Sequence, residues 1–203
     1  PAPRRRFFFD CGASLYRSGS GGASQQWFVD GYARRGLAFD RTLAWEVENH
    51  TDAAIRRPLP PALRAATTIY RHPADAPPGR LVSDRLSYFN FGIDGVRGSA
   101  RNPLEHLRAL AAPGDFVVFK LDVDSPAIEL ALVEQILADP GTARLIDEFY
   151  WEHVVANTPM DHFGWGHDLR RQAARGEKLQ TLADSYGYFG RLREMGIRAH
   201  SWV

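Results

Sequence analysis

The segment Asp115–Glu129, DFVVFKLDVDSPAIE, restricts the fold more than any other stretch of this chain. Its four consecutive apolar residues, Phe116 to Phe119, lack the polar alternation of a strand with one wet face. Such a run is buried on both sides, as in the central strands of parallel sheets covered by helices. It leads directly into Lys120, Asp122 and Asp124, and Ser125-Pro126 then offers a helix start. An apolar strand that ends in charge and turns into a helix is half of a βαβ unit, with the charge at the strand's carboxyl end.

The same pattern recurs along the chain. RRFFFDC gives a first strand ending at Asp10-Cys11-Gly12, ahead of a Gly/Ser loop from Ser18 to Ser24. SQQWFVDGYARRG places Trp27, Phe28 and Tyr32 at helical spacing and stops at Gly36. FDRTLAWEVE contains a second strand over Thr42–Val47, and ATTIYR a third, after the Pro-rich RRPLPPAL. The segment from His72 to Arg101 is the least regular, with an edge strand expected in LSYFNFGI. Asn102-Pro103 caps and opens a helix through Leu110. Beyond FVVFKLDV, a helix from Pro126 turns Ile128, Leu132, Val133, Ile136 and Leu137 to one face and ends at Asp139-Pro140-Gly141. LIDEFYWEHVV is expected as a strand ending near Glu152-His153. After an irregular stretch, LQTLADSYGYFGRLREMG supplies a last helix with Leu182, Tyr186, Phe189 and Leu192 inward, and IRAHSWV a closing strand.

Strands alternating with helices imply parallel βαβ units with right-handed crossovers. The expected fold is therefore α/β: a three-layer, Rossmann-like architecture with a mostly parallel central sheet flanked by helices. At 203 residues, one domain spanning 1–203 is expected. A net charge of +1 speaks against a nucleic-acid-binding polyelectrolyte. No apolar run approaches the roughly 20 residues of a membrane span, and PAPRRRFFFD lacks a signal-peptide core. The reading is of a soluble chain, cytoplasmic by default, with any targeting segment lying upstream of Pro1 and the oligomeric state left open. The sole cysteine, Cys11, excludes an internal disulfide and a cysteine-based zinc cage.

In open α/β sheets, ligands bind beyond the carboxyl ends of the strands. Polar residues collect at those ends: Asp10 and Gly12, Glu46, Asp122 and Asp124, Glu152 and His153. Gly12 permits close backbone approach, the following helix start favours anionic groups, and Glu46 stands where an acid accepts ribose hydroxyls in nucleotide-binding folds. Gly12 is followed by Ala13 and Ser14, so the dinucleotide glycine fingerprint is absent, and no Gly-Lys-Ser/Thr follows to make a phosphate-binding loop.

Taken in order, FFFDCGAS, LAWEVE, DFVVFKLDVDSPAIE and IDEFYWEH resemble the FkbM-type S-adenosylmethionine-dependent methyltransferases over most of the chain from Phe7 to His153. The resemblance implies that Asp10, Gly12, Ala13 and the adjoining Ser14 hold the methionine portion of S-adenosylmethionine and that Glu46 holds its ribose. It implies that Lys120, Asp122 and Asp124 end the strand beside the active site. The chain departs from the family pattern by carrying Asp124 in place of Glu, Ser125-Pro126 in place of Gly, and a longer, more glycine-rich loop after Gly12.

Transfer of a methyl group to a hydroxyl needs in-line positioning and a base. His153 is the leading candidate base, with Lys120 and Asp122 beside it as catalytic residues. Asp122, Asp124 and Glu152 offer oxygen ligands for a divalent cation such as Mg2+ or for the substrate. Structural roles compete with each of these: Asp124 as a helix cap, Lys120 with Asp122 as an ion pair, and His153 as a satisfied core residue. The expected activity is O-methylation of a small molecule or glycan hydroxyl. The alternatives are a cofactor-free binding module on the same fold and a metal-dependent hydrolase or transferase using Asp122, Asp124, Glu152 and His153. The pair His162 and His167, beside Asp161 and Asp168, is read as part of a loop folding over substrate. Trp151 and Trp165 are read as core, PRRR as a solvated charge run, and His200 and Trp202 as packing on the closing strand.

Overall fold

Phe7, Phe8 and Phe9 fill the middle of β1 (Arg6–Cys11), and every residue from Phe7 to Cys11 is buried. The computed structural model describes residues 4–18, 23–82 and 84–202, so the central part of the Gly/Ser loop, 19–22, lies outside the described residues. After β1 come α1 (Ser24–Arg34), β2 (Arg41–Trp45), α2 (Asp52–Arg56), α3 (Pro61–Ala65), β3 (Thr67–Tyr70) and β4 (Leu86–Phe89). The second half runs α4 (Pro103–Leu110), β5 (Phe116–Leu121), α5 (Pro126–Ala138), α6 (Pro140–Ala143), β6 (Glu148–Trp151), α7 (Gly166–Ala174), α8 (Leu182–Glu194) and β7 (Arg198–Ser201).

All seven strands pair in parallel, in the order β3-β4-β2-β1-β5-β6-β7. Helices cover both faces, which makes this a Rossmann-like three-layer α/β fold. Strand alternation assigns the layers. Phe7, Phe9 and Cys11 join Val117, Phe119 and Leu121 in a core closed by Leu104 and Leu107 of α4, Leu132, Val133 and Ile136 of α5, and Phe189 and Leu192 of α8. On the opposite face Phe8 and Val118 pack against Phe28 and Tyr32 of α1, while Ala44, Leu86 and Tyr88 meet Ile55 of α2 and Leu63 of α3. An aromatic ladder crosses six strands: Phe149, Phe119, Phe9, Trp45, Phe89 and Tyr70 follow one another at centroid separations from 4.5 to 6.1 Å. These spacings lie in the favourable range for ring pairs, so the ladder adds directional cohesion to area burial across the sheet.

Several helix boundaries follow local chemistry. Asn102 accepts from the Leu104 amide ahead of Pro103, Thr51 caps α2, and Asp139 caps α6 through the Gly141 amide. Thr181 and Asp184 form a capping box at the start of α8.

Elsewhere the structure corrects the sequence reading. β4 is interior, and β3 is the edge strand. LSYF looks like an edge strand because Ser87 breaks its apolar pattern, but buried Ser87 is satisfied by Asp84 and Arg41, so its polarity needs no solvent. In α8, Leu182 and Tyr186 are exposed, because Phe189 and Leu192, with Tyr188 edge-on to Trp151, set the inward face. β2 and β6 are shorter than expected, α7 forms in a stretch read as irregular, and α2 and α3 form where no helix was expected.

From β1 the chain builds β2, β3 and β4 on one side and then crosses to β5 on the other, so the strand order reverses between β1 and β5. Ligands of doubly wound sheets bind at that reversal. Gly12 lies there with a φ of +84°, and a Cβ added to it would fall 1.5 Å from the carbonyl oxygen of Asp122. The backbone cannot yield, because the Gly12 and Ala13 amides both donate to the Trp45 carbonyl, at 3.0 and 2.9 Å, and the Asp122 amide donates to the Cys11 carbonyl at 3.0 Å. Gly12→Ala should therefore cost more than about 3 kcal/mol. Urea unfolding of the variant within 1 kcal/mol of wild type would contradict this packing.

Candidate functional site

Lys120 is fully buried, with its ammonium wedged between the ends of β1 and β5. It donates to the Gly12 carbonyl at 2.9 Å, pairs with Asp122 Oδ2 at 2.8 Å, and lies 3.6 Å from Asp10 Oδ1. Asp10 and Lys120 are direct partners in the β1–β5 register, and both point to the α1 layer, where buried Gln25 donates to Asp10 Oδ2 at 3.2 Å. Burial alone would depress the Lys120 ammonium, but Asp10 and Asp122 hold it above its ordinary value. Burial pushes the Asp10 carboxyl up to about 6, with Lys120 and Gln25 acting against the rise. The arrangement is a charge triad with one buried cation for two carboxylates, Asp10 buried and Asp122 reaching the surface above it.

Above this triad opens a cavity of about 940 Å³ at the carboxyl ends of the strands. That volume lies within the range of small-molecule and cofactor sites. Gly12, Ser14, Trp45, Glu46, Asp122, Asp124 and Glu152 line its strand side, while Trp165, His167, Asp168 and Arg171 come from the region of α7 and Trp202 from beyond β7. Glu46 is held at two points: Oε2 accepts from the Ser14 amide and Oε1 from the Glu48 amide, each at 2.7 Å. Buried Asn90 steadies the same turn by donating to the Glu46 carbonyl.

Asp122, Asp124 and Glu152 each bring an oxygen within 4.8 Å of the others, close enough to share a divalent cation. Burial, with Asp122 beside it, pushes Glu152 up to about 8, so crowding of these carboxylates disfavours their full ionisation. Burial likewise raises Asp124, reinforced by Asp122 and Asp168. Two indoles fix the cluster's geometry: Trp165 donates to Glu152 Oε1 at 2.8 Å and Trp202 to Asp122 Oδ2 at 3.2 Å. Asp124 has a φ of +53°, and the helix that follows it begins without a side-chain cap. It is therefore turned to the cavity instead of capping α5.

The residues singled out in the sequence thus separate into groups. Gly12, Ser14, Glu46, Asp122, Asp124 and Glu152 share the cavity wall. Asp10, Ala13 and Lys120 are fully buried behind it and shape it indirectly. His153 does not line the cavity. It is buried, stacks on Trp151 at 4.0 Å with Tyr188 edge-on, and neither ring nitrogen has a hydrogen-bond partner. Burial pushes its imidazole down to about 4. Of the two loop histidines, His167 reaches the cavity wall and His162 does not.

Gln25, Asn90, Glu129 and Trp202 were not singled out as site residues. Glu129 is buried under the cavity floor, where Oε1 accepts from the Val123 amide and Oε2 from Trp151 Nε1. No motif marks Gln25, Asn90 or Trp202, which act across 15 to 80 residues, and Glu129 finds its Trp151 partner 22 residues on.

Compared with protein-family models, curated proteins and solved structures, the chain matches none. Fold and site therefore define its class on their own terms: a Rossmann-like α/β domain with a carboxylate-lined cavity at the strand-order reversal. No helix among the described residues is long and apolar enough to cross a membrane.

Removing the central cation should leave two carboxylates without compensation. Lys120→Met is expected to lose about 3–5 kcal/mol of unfolding free energy, and adding Asp10→Asn should recover part of that loss. Denaturant titrations of the two variants check this, and additive losses would contradict the triad.

Glu129 gives a pH-dependent signature. Burial pushes its carboxyl up to about 7, above an ordinary value of 4.5. Its stabilising contribution is therefore complete below pH 4.5 and is lost as pH rises through about 7. The stability difference between Glu129→Gln and wild type should shift in favour of the variant between pH 5 and pH 8, by on the order of 2 kcal/mol. A pH-independent difference would show that Glu129 ionises normally.

Proposed function

We propose that this chain is an S-adenosylmethionine-dependent methyltransferase acting on a hydroxyl of a small molecule or glycan. One observation carries the reading: Glu46, at the end of β2, and the Gly12–Ser14 turn, at the end of β1, face one cavity beside the carboxylates of β5 and β6. The residues fit such a cofactor. Each Glu46 oxygen accepts one backbone amide, which leaves lone pairs for the two ribose hydroxyls. Glu46, Glu48, Asp122, Asp124 and Asp168 outnumber Arg101 and Arg171 on the wall, a balance that favours a cationic ligand. When bound, the cofactor supplies an electrophilic methyl group on a sulfonium.

The chain's own residues then position the acceptor and take its proton. His153 lies outside the cavity, so the base in this reading is the Asp122–Glu152 pair. Lys120 and Trp202 both engage Asp122 Oδ2, leaving Oδ1 for Glu152 or for the acceptor hydroxyl. Trp165 orients Glu152 from the other side. Burial and the neighbouring Asp122 push the Glu152 carboxyl up to about 8, so turnover is expected to rise as the solution is made alkaline through that pH.

A second reading, a metal-dependent hydrolase or transferase, draws on the spacing of Asp122, Asp124 and Glu152. Calorimetry separates the two. S-adenosylmethionine and S-adenosylhomocysteine should both bind wild type without added metal, and Glu46→Gln should weaken both by about tenfold or more, some 1.4 kcal/mol. Absence of heat with either ligand, together with stoichiometric Mg2+ or Mn2+ found by elemental analysis, would replace the first reading with the second.

A further inference from the structure

A second cleft, of about 390 Å³, adjoins the cavity and is lined by Ala23, Ser24, Gln26, Trp27, Asp30, Arg34 and Trp202. Ser24 and Trp202 belong to both walls, so the two spaces are neighbours that share a border. Trp27 is the notable member. Its side chain is 49% exposed although Phe28, next in sequence, is fully buried. The Trp27 ring stands edge-on to Phe28 at 4.9 Å and lies 5.6 Å from Trp202 at an interplanar angle of 54°. Two aromatic contacts hold the indole, and about half of the residue stays exposed where it lines the cleft.

The polar rim is equally ordered. Gln26, Asp30 and Arg34 follow at intervals of four residues along α1 and so share one helix face. Asp30 is pinned by two donors, Tyr16 Oη at 3.0 Å on Oδ1 and Gln26 Nε2 at 3.0 Å on Oδ2. Each carboxylate oxygen retains acceptor capacity, Gln26 keeps its amide oxygen, and the guanidinium of Arg34 has five N–H donors. Planar donors and acceptors beside an open indole match a ligand with one C–H face and a ring of hydroxyls. The aromatic π-face attracts weakly positive C–H groups, and each hydroxyl both donates and accepts. A flat base held between parallel rings would need the two indoles nearly coplanar, and they are 54° apart. An acyl chain would leave Gln26, Asp30 and Arg34 desolvated without partners.

We propose that this cleft is a saccharide subsite: a pyranose ring stacks on Trp27, with Gln26, Asp30 and Arg34 binding its hydroxyls, while the neighbouring sugar presents a hydroxyl to the carboxylate-lined cavity. The proposal rests on the methyltransferase reading for the use of that hydroxyl and narrows the acceptor to a glycan of at least two sugars. Trp202 links the two spaces physically. One indole contacts Trp27 in the cleft and donates to Asp122 in the cavity, so a sugar settled on the pair bears on the catalytic carboxylates.

The test is a titration of the full chain with soluble cello-, manno-, xylo- and maltotetraose, followed by tryptophan fluorescence, alongside calorimetry with S-adenosylmethionine. At least one series should saturate. Trp27→Ala and Arg34→Ala should each weaken that sugar by about fivefold or more, Trp27→Phe should restore part of the loss, and the affinity for S-adenosylmethionine should stay within about twofold of wild type. No response to any of the four sugars up to about 10 mM overturns the proposal. So does equal binding by wild type, Trp27→Ala and Arg34→Ala, or a response to free adenosine or an acyl chain with none to sugars. Sugar binding without S-adenosylmethionine binding keeps the subsite and removes the methyltransferase reading, and the converse result removes the subsite alone.

Discussion

A single ammonium group, Lys120 Nζ, ties together β1 and β5, the two parallel strands between which the strand order reverses. It contacts Gly12 and Asp122 directly and faces Asp10, and it has no exposure to water. A buried ion pair is poor evidence for stability, because desolvation of its members offsets most of their attraction. Its physical consequence here is register. Asp10 and Lys120 are opposed in the β1–β5 pairing, and a slip of one residue would carry Lys120 onto the face occupied by Phe119 and Leu121. The charge thus selects one alignment of two strands whose apolar residues alone would tolerate others.

From that alignment the cavity follows. Fixing Asp10 against Lys120 sets the path of the chain into Gly12, and Gly12 closes on the Asp122 carbonyl. Asp122 is then held by the ammonium below and Trp202 beside it, so its carboxylate stands at a defined place beyond β5. Glu152 and Asp124 gather around it, and burial, reinforced by the neighbouring carboxylates, raises the Glu152 carboxyl. An interior cation thereby fixes the position of a carboxylate cluster at the surface of the sheet. Trp202 extends the arrangement outward, since the same indole borders both the large cavity and the Trp27 cleft.

How far these features can be read from the chain depends on their range. The central strands are legible because FVVF and FFF admit no exposed face, and helices such as α4 announce themselves through Asn102-Pro103. Glu46, Asp122, Asp124 and Glu152 are legible as a group because parallel strands all end along one border. Neighbouring side chains on a strand are harder to assign, since they point to opposite faces. Glu152 turns into the cavity, while His153, one residue later, packs on Trp151 away from it. Asp10 and Ala13 look like ligand contacts from their motif, yet both are buried, one as a counter-charge and the other against Tyr16 and Ala44.

The sequence by itself determined the layer architecture, the parallel sense of the sheet and the border on which its charges collect, because those depend on apolar runs, turn residues and a period of two. Only the tertiary structure decided that β4 lies inside β3, that Gln25 and Trp202 close on Asp10 and Asp122, and that Trp27 faces a cleft instead of the core. Those outcomes depend on contacts between distant residues, 80 positions apart in the bond from Trp202 to Asp122 and 175 in the contact of Trp27 with Trp202. Local propensity carries no record of such partners; they are chosen when helices dock on the sheet and each buried polar group must find a counterpart.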